Sequence, residues 1–347
     1  MNDLDVIVER VSGSPVAMAR VARNLLLPNG QADRARALCD RAMAMAPHDG
    51  EVRALRDEVF STGVGAWFFN MVWDAPRHIA IARALEKALS SGGRVLDIGT
   101  GTGLFAMMAA RAGADHVTTC ERDPAVAEAA RAVIAANGLG DRINVIEKAS
   151  QDLVLGVDMS EPADLLTWDN VGSDLVSLGT LPEIEDAMRR LVRPGGSAIP
   201  ARCAIKAALA EDAGWRRRRM SSAQGFDLSP FNRLARPVYM ITADRPGLEV
   251  RSTAAELFTF DFSGGGPFPA ERAVRRVEGR GGPANGVVQW LEFAMSDDQV
   301  YQTGPGAESC AFGLMFHPSQ EPFEAARDET FMVGAAHDRT GLWVWLE

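Results

Sequence analysis

The 347-residue chain has only four cysteines, Cys39, Cys120, Cys203 and Cys310, far apart and with no CxxC pair. They read as free thiols of a reducing cytosol, so a cytoplasmic location is expected. Long apolar runs are missing too. The most apolar stretch, Gly103 to Ala110, is too short to span a bilayer and is followed by Arg111, so no membrane partner is expected. The opening MNDLDVIVERV carries acids where the basic region of a leader would stand, so no signal peptide is expected. Basic charge is in deficit: 36 Lys and Arg against 46 Asp and Glu give a net charge of −10. A nucleic-acid binder needs a basic face to neutralise phosphates, and nucleic acid is therefore not an expected partner. The five histidines (His48, His78, His116, His317, His337) form no HxxxH spacing, and no metal is expected. No nucleophile–base pair is evident.

What the chain does contain suggests two domains and an appendage. Its hydrophobic content is 47% and its charge is evenly spread, as in a well-packed globular protein. Residues 1–60 read as helices. Within them, Ala37, Cys39, Ala42, Ala46 and Pro47 follow the pattern of a tetratricopeptide second helix and its exit. One such unit buries no solenoid core, so it is either a binding module leaning on another surface or a plain helical extension.

From residue 61 to 200 the texture alternates. DAPRHIAIARALEKAL is an amphipathic helix with Pro76 in its first turn. RVLDI, HVTTC, INVIE and ADLLTW are short apolar strands, with the helical stretches LFAMMAARAG and PAVAEAARAVIAANG between them. This βαβα alternation predicts a parallel sheet covered by helices on both faces. Residues 201–347 carry β-like runs such as ELFTFDF, GVVQWLEFAM, CAFGLMF and LWVWLE between Gly and Pro turns, an all-β barrel or sandwich.

RVLDIGTGTG places glycines at 99, 101 and 103 directly after a strand. A dinucleotide fingerprint needs GxGxxG and a phosphate loop ends in Gly-Lys-Ser/Thr; neither is present. Asp97 precedes the loop, where an anion repels phosphate and suits the amino group of a zwitterion. Glu121, in CERD at the end of the next strand, is placed to accept from both hydroxyls of a ribose, with Arg122 beside it. Together these residues point to S-adenosylmethionine, with S-adenosylhomocysteine as product; tight turns without a ligand are the alternative.

This stretch resembles the class I methyltransferases. VGAWFFNMVWDAPRHIAIARAL, TWDNVGSDLVSLGTLPEIEDAM, RPGGSAIP, GFDLSPFNRLARP and LFTFDFS are further similar to the protein arginine methyltransferase family, with features of its type III-like, monomethylating and bacterial branch. The resemblance covers about residues 64–320. It implies a Rossmann-like domain followed by a β-barrel, with a dimerisation arm near residues 214–237 and hence a homodimer. It places Arg77 on the arginine that grips the cofactor carboxylate, Asp74 on the acid that orients it and Met71 beside the reacting centre. Ser150 and Gln151 fall on the adenine edge.

The resemblance also implies two glutamates nine residues apart that clamp a guanidinium, and here the pattern departs. Asp169 stands at the first position and Leu178 at the second. Breaking a buried ion pair costs about 3–5 kcal/mol, so the loss of a carboxylate matters. Asp174, in the same loop, is a candidate substitute. Phe68 stands where a histidine is common, and Ser309-Cys310-Ala311 is the nearest match to a threonine-histidine-tryptophan loop. Phe68, Trp168, Asn170 and Leu178 are the expected acceptor-side residues, with Asp169 and Asp174 as the catalytic acids. The acceptor is either a guanidine, free or in a peptide, or a different nucleophile (imidazole, amide, amine or carboxylate) in a rebuilt pocket. A cofactor-binding scaffold without turnover is a further alternative. Trp67, Phe68, Phe69 and Trp168 either wall an aromatic pocket or serve as core or interface packing. WRRRR, at residues 215–219, faces either an acidic partner or solvent.

Overall fold

The computed structural model describes residues 3–308 and 311–347, together with all side chains in that span except that of Arg216. Ser309 and Cys310 lie outside the described residues. Among the described residues, four α-helices come first, α1 (Asp3–Arg10), α2 (Pro15–Val21), α3 (Ala32–Met45) and α4 (Gly50–Ser61), with a π-helical turn (Ala22–Leu26) and a 3-10 turn (Leu27–Asn29) between α2 and α3. Small and branched side chains from α2 to α4 close a core of their own, with Met18, Ala35, Cys39, Ala42 and Val52 wholly buried. This unit reaches the rest of the molecule through Arg36, whose guanidinium lies 3.8 Å from Asp123.

After α5 (Trp67–Met71), α6 (Ala75–Ala88) begins where Asp74 accepts the Arg77 backbone N–H and Pro76 occupies the first turn. Five parallel strands follow: β1 (Arg94–Ile98), β2 (His116–Cys120), β3 (Ile143–Ile146), β4 (Ala163–Trp168) and β5 (Val192–Ile199). Their order is β3-β2-β1-β4-β5. The helices α7 (Leu104–Arg111), α8 (Pro124–Ala136) and α9 (Thr180–Arg190) make the crossovers. β1 and β4 are largely buried on both faces, which is why they read as short, predominantly apolar runs rather than as alternating ones.

The rest of the chain is antiparallel. β6 (Arg202–Asp212) starts it, and an excursion follows that carries the two-residue strands β7 (Ser222–Ala223) and β8 (Phe226–Asp227). Then come β9 (Tyr239–Ile241), β10 (Leu248–Val250), β11 (Ala255–Asp261), β12 (Glu271–Glu278), β13 (Pro283–Ser296), β14 (Gln299–Gln302), β15 (Leu314–Glu324), β16 (Thr330–His337) and β17 (Leu342–Leu346). The main sheet runs β10-β6-β13-β15-β9, with β11 on β6 and β14 on β13; β12-β16-β17 forms a second sheet. The architecture is the expected one, a Rossmann-like parallel sheet followed by a barrel-like antiparallel region, behind a helical start.

One continuous core runs through both sheets. Trp168, at the end of β4, meets Phe262 edge-on at 4.7 Å and 77°, joining the parallel sheet to the barrel. Among the described residues no helix is long and apolar enough to cross a membrane.

Candidate active site

The site follows from strand order. β1 lies between β2 and β4, so the chain leaves β1 toward one side while β4 closes the other. In open α/β sheets, ligands bind at the carboxyl ends of such strands. Ile98 pairs with both Cys120 and Trp168, so the loops after β1, β2 and β4 emerge together.

The loop after β1 is bare backbone. Gly99, Gly101 and Gly103 hold φ of +82°, +51° and +78°, a region side chains disfavour. A Cβ at Gly101 would stand 3.1 Å from the Phe68 ring. Glu121, after β2, is buried and turned onto this loop. One carboxylate oxygen accepts the Gly101 N–H at 3.2 Å and the other accepts the Asp123 N–H at 3.0 Å. Arg122 is exposed.

Asp97 departs from the expected open acid. Its oxygens accept hydrogen bonds from Thr119 (2.8 Å) and Thr167 (2.7 Å), and only 2% of the residue is exposed. The cause is its position inside β1 with β2 and β4 on either side, so it braces three strands from behind the loop. Burial pushes its carboxyl up to about 7 against the pull of those two hydroxyls.

Arg77 projects from the first turn of α6 and is 3% exposed. Nη1 donates to Asp169 Oδ2 at 2.5 Å and Nη2 donates to the Met71 carbonyl at 2.9 Å. Nε, buried and without a hydrogen-bond partner, lies 3.9 Å from Asp74 Oδ2. That Asp74 oxygen accepts from the Tyr301 hydroxyl at 2.5 Å and the Ala311 N–H at 3.0 Å. Asp74 therefore ties α6 to the barrel while lying beside the arginine. Tyr301 was not legible in the sequence, since 227 residues separate it from Asp74.

Asp169 follows β4. Burial pushes its carboxyl up to about 6; the Arg77 guanidinium opposes the shift and Asp74 adds to it. Its Oδ2 is taken by Arg77, whereas Oδ1 has no hydrogen-bond partner among the described residues. Asp169 and Arg77 line a void of about 10 Å³ with Trp168, Tyr301 and Phe312. Phe312 also lines an open cavity of about 600 Å³ between α5 and the barrel.

The rest of the loop between β4 and α9, the expected acceptor loop, is pinned from within. Leu175 and Val176 are wholly buried. Asp174 Oδ1 accepts the Ser177 N–H (3.2 Å) and hydroxyl (2.8 Å), which shapes the turn. Leu178 is 56% exposed. Asn170 donates to Glu183 Oε2 at 3.0 Å, and buried Ser150 donates to Glu183 Oε1 at 2.7 Å. Glu183, in the first turn of α9, thus ties the expected adenine edge to the acceptor loop. Sequence reading missed it, because one more acid in a first turn looks ordinary. Gln151 is exposed. The four aromatics do not wall one pocket: Trp67 and Phe69 are 60% and 70% exposed, Phe68 covers the glycine loop and Trp168 is core.

These residues fit S-adenosylmethionine: a cradle of glycines that a Cβ would fill, a buried acid beside it and a buried arginine with an unpaired nitrogen. Fold and site together define a class I S-adenosylmethionine-dependent methyltransferase. Residues 80–199 match the family described as ribosomal protein L11 methyltransferase (PrmA). An arginine N(omega)-methyltransferase of Streptomyces achromogenes subsp. streptozoticus is 32% identical over 303 residues, covering 86% of this chain and 84% of that relative. The chain belongs to the arginine N-methyltransferase family. Protein arginine N-methyltransferase 7 of Drosophila grimshawi is 41% identical over 154 residues, 43% of this chain, and that of Danio rerio is 28% identical over 295 residues, 76% of this chain. The matches span 22% and 42% of those longer relatives. Among solved structures, the Trypanosoma brucei PRMT1 enzyme-prozyme heterotetrameric complex with AdoHcy shares the fold at a TM-score of 0.71 and 20% identity, over 80% of this chain and 92% of the other. Arabidopsis thaliana protein arginine methyltransferase 10 does so at 0.67 and 20%, over 80% and 89%.

Proposed function

We propose that this methyltransferase acts on a guanidine nitrogen of arginine, free or in a peptide. The observation that carries the reading is Asp169: a carboxylate held on one oxygen by Arg77, its other oxygen without a hydrogen-bond partner among the described residues, on a residue that lines a small void beside the glycine loop's strand. When bound, S-adenosylmethionine supplies an activated methyl group, so the protein's share of the work is holding and aligning. Glu121, Ser150 and Gln151 are the proposed contacts to its adenosine end, with Arg122 at the rim. Gly99, Gly101 and Gly103 give it backbone room, and Arg77, steadied by Asp74 and Met71, meets its carboxylate. Asp97 supports the loop from behind. Asp169 pairs with the acceptor guanidinium, orients one nitrogen and receives the proton released on methylation. Phe68 and Asn170 border the acceptor, and Trp168 supports Asp169 from the core. Asp174 keeps one oxygen outside the Ser177 turn and is the proposed second acid.

Leu178 favours a second reading. An aliphatic side chain at the second clamp position suits an acceptor that needs one acid, such as an imidazole, amide, amine or carboxylate. Steady-state methyl transfer to L-arginine and to an arginine peptide decides between them. The guanidine reading expects turnover in the wild type and a loss of at least about 100-fold in kcat/KM for Asp169→Asn, the scale of a removed acid–base group. Turnover of other nucleophiles with both guanidines inert contradicts it.

We also read the molecule as a cytoplasmic homodimer. Cys39, Cys120 and Cys203 are buried free thiols. The excursion between β6 and β9 carries exposed Phe226, Phe231 and Leu234, an apolar surface suited to a second copy.

A further inference from the structure

The open cavity of about 600 Å³ is of ordinary ligand size. Its near wall is Phe312, shared with the small void that Asp169 lines. Met240, also in the wall, lies 3.9 Å from the Ser173 hydroxyl of the acceptor loop. Trp73 and Asn70 close the α5 side. The cavity thus adjoins, across Phe312, the void that Asp169 lines, and it is the space of ligand size next to that carboxylate. The described lining holds one ionisable residue, Arg245.

Arg245 is braced from behind. Its Nε donates to Asp212 Oδ1 at 2.7 Å, and Asp212 is a wholly buried side chain. Asp212 is otherwise occupied: the Gly214 N–H (3.0 Å) and the Tyr239 hydroxyl (3.0 Å) also donate to it. The Nη groups of Arg245 have no hydrogen-bond acceptor among the described residues. Arg218 stacks over Tyr239 at 3.9 Å, so a second cation stands behind the pair that Asp212 neutralises. A guanidinium fixed by Nε and free at its terminal nitrogens is the geometry that recognises a carboxylate with two parallel hydrogen bonds.

Resting on the guanidine reading above, we propose that Arg245 is an acceptor-binding residue that holds a carboxylate at the end of the acceptor remote from the methylated nitrogen. The carboxylate is either that of free arginine or one in a peptide, at a C-terminal arginine or on a neighbouring acidic residue. The subsite makes the enzyme read both ends of its acceptor, with Asp169 at the cationic end and Arg245 at the anionic end.

The test compares kcat/KM for L-arginine, agmatine (the same guanidine without the carboxylate), a peptide ending in arginine and the same peptide amidated. The proposal expects the wild type to favour a carboxylate-bearing acceptor over its carboxylate-free counterpart by about tenfold or more, mainly through KM. Whichever pair shows the preference identifies the source. In Arg245→Gln the preference should collapse to within about threefold, with Arg245→Lys intermediate because it keeps charge and loses the fork. The wild-type comparison stands even if the variants fold poorly. Equal use of both members of each pair by the wild type overturns the subsite and leaves guanidine methylation intact. No methylation of any of the four overturns the guanidine reading and the subsite together.

Discussion

Asp169 and Glu121 are acids that follow β4 and β2, the two strands flanking β1, yet their surroundings differ. Glu121 has both oxygens engaged by backbone N–H groups, one of them from the glycine loop. Asp169 is held by one arginine and raised by burial to about 6. Its charged form is the one that pairs with a guanidinium, so kcat/KM, which reports the free enzyme, should climb as pH rises through about 6 and level off above it. Asp169→Asn should abolish that limb, and a flat wild-type profile from pH 5 to 8 would remove Asp169 from the chemistry. At the cofactor end, calorimetry with S-adenosylhomocysteine should show Glu121→Ala weakened by about 1–3 kcal/mol. Gly101→Val should not bind, because its φ of +51° and the Phe68 ring leave no place for a side chain. Wild-type affinity in both variants would refute the cofactor site. These residues were legible in the sequence as candidates because the glycines and acids sit at fixed offsets from a strand. Glu183, Tyr301 and the threonines around Asp97 were not, since each reaches the candidate site only through a partner distant in the chain.

At the scale of elements, legibility tracked local pattern. β1, β2 and β4 read clearly because most of their residues are buried on both faces, and β3 because its apolar Ile143, Val145 and Ile146 follow the same short pattern. β6 falls in the region from residue 201 expected to be all-β, but its own run is not a clear strand pattern. Ala204, Ala207, Ala208 and Ala210 give it a helix-like composition, but each is buried against neighbouring strands. Close packing beside β13 selects small residues there against their intrinsic preference. The acceptor loop is a second element whose shape depends on tertiary contacts, with Leu175 and Val176 inserted into the core and Leu178 turned outward. An exposed position tolerates charge, so Leu178→Glu should fold normally. Under the guanidine reading it should preserve or raise turnover of arginine acceptors. A loss of more than about tenfold with an unchanged melting temperature would favour the rebuilt pocket, where an added acid lacks a cation to pair with.

Across the whole molecule, two parts stand apart from the methyltransferase core, the N-terminal helices and the excursion before β9. The N-terminal helices have their own core and meet the methyltransferase body where Arg36 approaches Asp123, the residue after Arg122 at the proposed ribose edge. The excursion before β9 exposes Phe231 and Leu234 by 57% and 65%. Sedimentation at micromolar concentration should give twice the 37.3 kDa chain mass, and Phe231→Asp with Leu234→Asp should give the monomer. A wild-type monomer would count against the arm.

The central claim, that a carboxylate beside a glycine-loop cofactor site directs methyl transfer to a guanidine, is tested most directly by locating the methyl group. Tandem mass spectrometry of the product formed from L-arginine, or from an arginine peptide, with isotope-labelled S-adenosylmethionine should place a single added methyl on a terminal guanidine nitrogen. A label on any other atom, or tight binding of S-adenosylhomocysteine without a methylated guanidine, would contradict the account.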